Sequence, residues 1–174
     1  MKNSIFIISM ISILLFGCKN ENQNDNVEVK KEIVNKTNTA INMKGFKTNL
    51  EKETLNNNDY RKVIYSGKYA QIVLMSLKGG EEIGAEIHPN IDQFFRFENG
   101  NGKCIINKTE YLVSSGDAVM APAGSLHNVI NLDPKKELKF YTIYSPPNHK
   151  DGLDRATKKE ADEYGEEFDG MTTE

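Results

Sequence analysis

The chain has 174 residues, of which 38% are hydrophobic and 27% charged, a composition that suits one globular domain with a buried core. Its formal net charge is −3, and no basic stripe with interleaved aromatic residues is present. Because nucleic-acid binding requires a basic surface, this composition argues against nucleic acid as a partner.

The chain begins with an apolar segment over residues 5–16. A dozen residues are too few to span a bilayer, which needs roughly 20, so the pattern predicts a secretory signal peptide over 1–17. The small residue before Cys18 resembles the bacterial lipobox, although Phe16 is bulkier than the residue usual there. The resemblance implies lipidation of Cys18 and a place in the bacterial cell envelope, on the periplasmic face or the outer surface, with the lipid as the only membrane contact. A plain signal peptide with a chance cysteine is the alternative.

The next segment, residues 18–44, is rich in Asn, Glu, Lys and Thr and has few large apolar residues. Such a segment buries too little surface to offset its ordering entropy. We therefore predict a flexible polar tether over 18–44, a folded domain over 45–148 and an acidic C-terminal tail over 149–174. If Cys18 carries lipid, the mature chain has no disulfide, and Cys104 is predicted to be a small buried hydrophobic residue.

Short strands separated by turn signals follow from residue 60 onward. The predicted strands cover residues 60–65, 70–77, 94–97, 103–107, 110–113, 118–121, 128–131 and 138–144. No helical periodicity of useful length occurs before the tail, where residues 157–167 predict a short polar helix. Strands at this spacing predict an all-β sandwich or barrel.

Two of the three histidines lie in spaced motifs. The first motif is Gly80, five residues, Glu86, one residue, His88, four residues, Gln93, six residues and Gly100. The second is Gly116, five residues, Pro122, one residue, Gly124, two residues, His127, three residues and Asn131. Together they resemble the two cupin motifs, and the resemblance covers roughly residues 46–147. It implies a small bacterial protein with a single cupin barrel of the double-stranded β-helix, jelly-roll type, and a short polar C-terminal tail or helix.

The first motif departs from the family pattern in two residues: Glu86 stands where the family usually has histidine, and Gln93 where it usually has glutamate. The usual set of three neutral histidines and one carboxylate leaves a charge of +1 on a bound divalent ion. Two histidines, one glutamine and one carboxylate leave the same charge, which favours a working site.

Strand geometry gives an independent reason for these side chains to converge. Residues i and i+2 of a strand share a face, so Glu86 and His88 project together. A returning strand after the Pro89-Asn90 turn is expected to bring Gln93 beside them, and a neighbouring strand to deliver His127. We therefore predict one divalent ion, Mn, Fe, Ni or Zn, held by these four residues.

Each candidate ligand has a second interpretation that the sequence leaves open. Glu86 could be an exposed strand residue, and Gln93 could only hydrogen-bond a ligand or a water. His88 and His127 could be ordinary core histidines. His149 follows Pro146-Pro147 among charged residues and is predicted to be exposed and without a role.

Other residues of the motifs and strands are predicted to be structural. Turns and strand ends are assigned to Gly80, Gly100, Gly116, Pro122, Gly124 and Asn131. Asp117 is predicted to cap a turn. An inward stripe, more typical of core than of pocket, is predicted for Met75, Phe95, Phe97, Met120 and Tyr144, whereas Arg96 points outward.

Three functions remain open. The first is a metal-containing barrel that binds a small molecule, such as a sugar or a carboxylate. The second is a metal-dependent oxygenase or isomerase that uses His88, His127 and Glu86, with the ion as Lewis acid. The third is a metal-free structural or interaction barrel, for which homodimers through sheet edges would cover the edge strands.

Overall fold

The computed structural model describes residues 43–165 and 167–174. The predicted signal peptide, Cys18 and nearly all of the tether lie outside these residues, so the statements about them stay predictions. Within the described part of the chain, no helix has the length and apolar character needed to cross a membrane.

The described residues form mainly antiparallel strands, with two short helices. In chain order the elements are α1 (Leu50–Asn56), β1 (Arg61–Ser66), β2 (Gln71–Leu77), β3 (Glu86–Ile87), β4 (Asp92–Asn99), β5 (Asn101–Ile106), β6 (Thr109–Ser114), β7 (Ala118–Ala121), β8 (Leu126–Asn131), β9 (Leu138–Ser145), β10 (Asp154–Arg155) and α2 (Lys158–Glu163). The eight predicted strands are confirmed, and the two short strands β3 and β10 join them.

The strands form two sheets, one ordered β10-β1-β2-β9-β4-β7 and the other β3-β8-β5-β6. Alternation along the strands fills the space between the sheets: on β4, Phe95 and Phe97 are wholly buried, and on β8, Val129 faces them from the other sheet. Each such side chain contributes roughly 1.5–3 kcal/mol by leaving water. The all-β barrel predicted from the sequence is confirmed.

The same alternation also turns polar side chains into the barrel interior. On β4, Gln93 shares the inward face with the phenylalanines, and on β8, His127 and Asn131 share it with Val129. Asn131 is structural, since its Nδ2 donates to Leu77 O at 2.9 Å and Lys136 O at 2.8 Å. His127, four residues before Asn131 on β8, contacts Gln93 across the barrel.

Tight turns join the strands where the motifs have glycine. Positive φ angles occur at Gly80, Gly100, Gly116 and Gly124. At Gly100 (φ +89°) a Cβ atom would also lie 2.5 Å from Glu137 O, so only glycine fits. Asp117 caps its turn as predicted, since its Oδ2 accepts from Ser114 N at 2.8 Å. In the next turn, Pro122 O accepts from Ser125 N at 3.0 Å.

Two expectations about buried residues have different outcomes. Cys104 is fully buried, as predicted, and burial raises the pKa of its thiol to about 12. Of the residues predicted to point inward, Met75 and Tyr144 on the six-stranded sheet are buried, as expected. The expectation is wrong for Met120, which is 53% exposed because it pairs with Phe94 on the outer face of the sheet, whereas its neighbour Ala121 pairs with the buried Gln93.

The expectation of no helix before the tail is wrong, because α1 precedes the first strand. Asn49 caps it by accepting from Lys52 N at 3.0 Å. The helix is fixed to the barrel by Lys139, which is 7% exposed and whose Nζ donates to Leu55 O at 3.0 Å and Asn57 O at 2.7 Å.

The C-terminal segment belongs to the folded domain rather than forming a separate tail. Strand β10 pairs with β1, and α2 begins with a capping box between Thr157 and Glu160. Near the C-terminus, Thr173 N donates to Ser66 O at 2.8 Å, and Glu174 Oε2 accepts from Gly45 N at 3.1 Å. The predicted polar helix is confirmed with shorter bounds, and the domain extends past residue 148.

Candidate metal centre

The centre is built first on the pairing of β3 with β8. Glu86 lies directly opposite His127 in this antiparallel register, so their side chains leave the sheet together on its inner face. Glu86 Oε1 lies 3.3 Å from His127 Nε2. His88, two residues along from Glu86, shares its face, and its Nε2 lies 3.3 Å from the same oxygen. One carboxylate oxygen therefore meets two imidazole nitrogens.

The fourth predicted ligand comes from the opposite sheet. Gln93 Oε1 lies 2.8 Å from His127 Nε2, and Gln93 is 1% exposed. The expected route is wrong in one respect: β3 and β4 do not form a hairpin but belong to different sheets, so Gln93 reaches Glu86 across the barrel. Gln93 is held by its register partners Tyr144 and Ala121 on the two strands that flank it.

The tautomer of His127 is fixed by the backbone. His127 Nδ1 lies 3.0 Å from Ser125 O, which can only accept, so Nδ1 carries a hydrogen and donates it. In the neutral ring, Nε2 then presents a lone pair to two further acceptors, Glu86 Oε1 and Gln93 Oε1. Three lone pairs that face one another need a positive charge among them, either a proton on Nε2 or a cation.

His88 also fits a cation. Its Nε2 atom is buried and, within the described residues, has no hydrogen-bond partner of suitable alignment. Donor atoms that share an ion at roughly 2.0–2.2 Å lie about 3 Å apart, which matches the separations of 2.8 and 3.3 Å measured at Glu86, Gln93 and His127. The cluster of Glu86, His88 and His127 could therefore hold a metal ion, and the amide oxygen of Gln93 lies where it could join them.

Protonation follows from the same contacts. Burial alone would raise the pKa of Glu86, but hydrogen bonding to His127 and attraction from His88 outweigh it and lower the pKa to about 2. Burial would lower the pKa of His127, but the bonds to Glu86 and to Ser125 O raise it. Glu86 is therefore an anion at any physiological pH, as a metal ligand must be.

A second layer of aromatic side chains fixes the imidazoles. The ring of Phe95 lies 6.0 Å from that of His127, and the ring of Tyr144 meets His88 edge-on at 5.7 Å. The hydroxyl of Tyr144 in turn lies 3.3 Å from His149 Nε2. The imidazole orientations are thus set by packing, which preorganises the ligand set.

The expectation that His149 is exposed is wrong. His149 is 7% exposed, because Gln71 binds its backbone on both sides: Nε2 donates to His149 O at 2.6 Å and Oε1 accepts from His149 N at 2.9 Å. Burial and the positive charge of Arg61 lower the pKa of His149 to about 3, so this ring is neutral. A glutamine at the start of an apolar strand was the one sequence signal for this contact.

A cavity of about 270 Å³ adjoins the cluster at His88. Its other walls come from β1, from the C-terminal segment and from the turn after β9. Sequence reasoning missed the residues of these walls, among them Arg61, Asn148 and Arg155, because the C-terminal segment was expected to be a separate tail. The centre therefore has a buried side at Gln93 and His127 and an open side at Glu86 and His88.

The fold and the cluster together define an antiparallel β-barrel with an internal set of groups suited to a cation. The family model described as a cupin domain matches residues 73–144. The chain belongs to the cupin family, a conclusion that relatives with 42% and 37% identity over most of their own length support.

Similar proteins come from bacteria and from a virus. The uncharacterized protein YrkC of Bacillus subtilis is 44% identical over 68% of this chain and 66% of its own length. The uncharacterized protein L612 of Acanthamoeba polyphaga mimivirus is 42% identical over 62% of this chain and 69% of its own. The chain thus spans about two thirds of the length of these relatives.

Among solved structures, BH2720 from Bacillus halodurans has a TM-score of 0.68 at 37% identity and covers 71% of this chain and 98% of that one. A Klebsiella pneumoniae protein with a double-stranded beta-helix domain has a TM-score of 0.50 at 19% identity, over 59% of this chain and 91% of that one. The second likeness supports the fold alone.

Proposed function

We propose that this chain binds one divalent metal ion through Glu86, His88, Gln93 and His127 and holds a small molecule beside the ion. The observation that carries the proposal is the meeting of lone pairs at His127 Nε2, where two oxygen acceptors lie at 2.8 and 3.3 Å. Two imidazoles, a carboxylate and an amide oxygen suit Mn, Fe, Ni or Zn. A bound ion would act there as a Lewis acid.

The chain's own residues divide the work around that ion. Ser125 O holds the His127 ring so that Nε2 faces the centre. Phe95 and Tyr144 pack against the imidazoles and keep water from the buried side. His88 lines the cavity, so a small molecule held there would lie beside the ion.

Elemental analysis of the full chain tests the metal site. We expect about one equivalent of a transition metal or zinc per chain in the wild type and a loss of at least 90% in His127→Ala. His149→Gln is the matched control, since it changes the remaining histidine without touching the ligand set, and it should keep its metal. Gln93→Leu should retain metal at an affinity about 10–100-fold lower. Wild-type protein that holds no metal after aerobic and after anaerobic purification would refute the proposal.

The second candidate is an enzyme, a metal-dependent oxygenase or isomerase that uses His88, His127 and Glu86. The observation that favours it is the hydroxyl–imidazole pair of Tyr144 and His149, 3.3 Å apart, which passive binding does not require. Turnover of a bound molecule that disappears in Glu86→Ala would favour the enzyme over the binding protein.

We also propose that Cys18 carries a lipid that anchors the chain in the bacterial cell envelope. The support is the apolar segment over residues 5–16 followed by a small residue and the cysteine. Mass spectrometry of the membrane fraction should find a lipid-modified mature chain that begins at Cys18. Cys18→Ser should remain unprocessed, and an unmodified cysteine in the wild type would refute the proposal.

A further inference from the structure

The cavity beside the candidate metal centre has a positively charged wall. Arg61 and Arg155 line it from the paired strands β1 and β10, where they are register partners. His88 lines it from the metal side. A guanidinium pair and a ligand of a divalent cation therefore face the same space.

Arg61 is the better placed of the two arginines to bind a ligand. Its Nε atom is buried and, among residues 43–165 and 167–174, has no hydrogen-bond acceptor, although its guanidinium lies 5.7 Å from the Tyr60 ring. Arg155 already donates from Nη1 to Asp154 O at 2.8 Å and lies 5.7 Å from the Tyr164 ring. A buried guanidinium N–H that lacks an acceptor is costly, and a bound oxyanion would supply one.

The charges around the cavity favour an anion. The ion with its one carboxylate ligand would carry +1, and the two arginines add positive charge. His149 is neutral, since its pKa is lowered to about 3 partly by Arg61. Among the described residues that line the cavity, Glu167 is acidic, and it is exposed. The part of the lining formed by Arg61 and His88 thus favours an anion.

The size of the space limits the ligand. A cavity of about 270 Å³ is just below the range of roughly 300–1,000 Å³ that is typical for drug-sized ligands. A small metabolite fits this volume, and one that reaches both Arg61 and the ion at His88 needs two polar ends.

We propose that the small molecule is an oxyanion, a carboxylate or a phosphate, whose acid group binds the guanidinium of Arg61 while its other end faces the ion at His88. The inference rests on the proposed function, because it names the ligand class of the same site. Arg61 acts as the specificity determinant through the planar N–H fork that fits carboxylate and phosphate oxygens.

Isothermal titration calorimetry on the zinc-loaded full chain tests the proposal with three probes: malonate, inorganic phosphate and neutral malonamide. We expect malonate or phosphate to bind at least tenfold more tightly than malonamide, and the stronger of the two identifies the acid group. Arg61→Gln should weaken that binding at least tenfold, and Arg61→Lys should give an intermediate affinity, since it keeps the charge but loses the fork.

Lys62→Gln is the matched control. It removes the same charge one residue along β1, on the opposite face, where Lys62 pairs with Asp154 at 3.0 Å, and it should change the affinity less than twofold. Equal binding of malonamide, binding of no anion, or an unchanged affinity in Arg61→Gln would overturn the inference. If Arg61→Gln unfolds, the comparison of the three probes on wild type and on Arg61→Lys decides the question.

Zinc content, measured on each sample, separates the two proposals. One zinc per chain with binding independent of Arg61 overturns the anion site and leaves the proposed metal centre standing. A chain that takes up neither zinc nor Mn, Fe or Ni overturns the metal centre. The same titration of that metal-free chain then decides the anion site by the same Arg61 comparison.

Discussion

The ion pair between Glu86 and His127 predicts how the stability of the metal-free chain depends on pH. The folded pKa of Glu86 is about 2, against 4.5 for the ordinary group, and its side chain is only 27% exposed. A lowered carboxyl pKa contributes stability that is present above pH 4.5 and is lost as the pH falls towards 2. The full shift corresponds to about 3 kcal/mol, of which about 2 kcal/mol should disappear between pH 6 and pH 3.

At alkaline pH the contribution of His127 to stability changes in the opposite direction, because it is lost as the pH rises. The raised pKa of His127 contributes stability that is present below its unfolded value of 6.5 and is lost as the pH rises through the folded pKa. The stability difference between wild type and Glu86→Gln should therefore be greatest near pH 5–6 and smaller on both sides. Urea unfolding in the presence of a chelator, at steps from pH 3 to pH 9, measures this difference.

A surface carboxylate provides the control for this series. Glu110 pairs with Lys103 at 3.0 Å, but its side chain is 59% exposed, so Glu110→Gln should change stability by less than about 1 kcal/mol at every pH. A difference between wild type and Glu86→Gln that stays flat from pH 3 to pH 9 would refute the assignment of an ionised, imidazole-paired carboxylate.

Three further predictions concern parts of the fold that support the centre. Lys139→Met should lower the free energy of unfolding in urea by about 1–3 kcal/mol, because the carbonyls of Leu55 and Asn57 lose the ammonium donor that satisfies them. Gly100→Ala should cost at least about 2 kcal/mol more than Gly116→Ala in the same assay, since both have positive φ but only Gly100 faces a backbone atom. Cys104 should resist alkylation at pH 8, as followed by mass spectrometry, until the chain unfolds.

Each of these predictions has its own contrary outcome. Lys135→Met changes an exposed lysine and serves as the control for Lys139, so equal effects of the two would contradict a buried anchor. Equal costs at Gly100 and Gly116 would mean that backbone conformation alone, and not the contact with Glu137, requires glycine there. Rapid labelling of Cys104 in native protein would place the thiol outside the core.

Local patterns were sufficient to predict most of the barrel. Alternating apolar residues and glycine turns located eight of the ten strands. The two missed strands contain two residues each, which is too short for a periodic signal. Helix α1 was missed because its seven residues carry only a cap at Asn49 and acids in the first turn, and its stability comes from Lys139 far along the chain.

The four candidate side chains converge as the sequence predicts, but the sequence does not predict that Gln93 comes from the opposite sheet. Strand alternation says which side chains share a face and nothing about which sheet a strand joins after a turn. The wrong prediction that His149 is exposed has a different cause, a long-range hydrogen bond, since the burial of His149 depends on Gln71, 78 positions away. Tertiary contacts of this kind leave almost no trace in a local pattern.

The origin of the ligands on both sheets links metal uptake to the order of folding. Glu86 and His127 come from one sheet and Gln93 from the other, with 34 positions between Gln93 and His127. A partly folded chain with a single sheet would lack the complete set, and long-range pairing of this kind is slow to form. Uptake of an ion during refolding would thus mark the moment at which the barrel closes, and a spectroscopically visible ion such as cobalt could time that step.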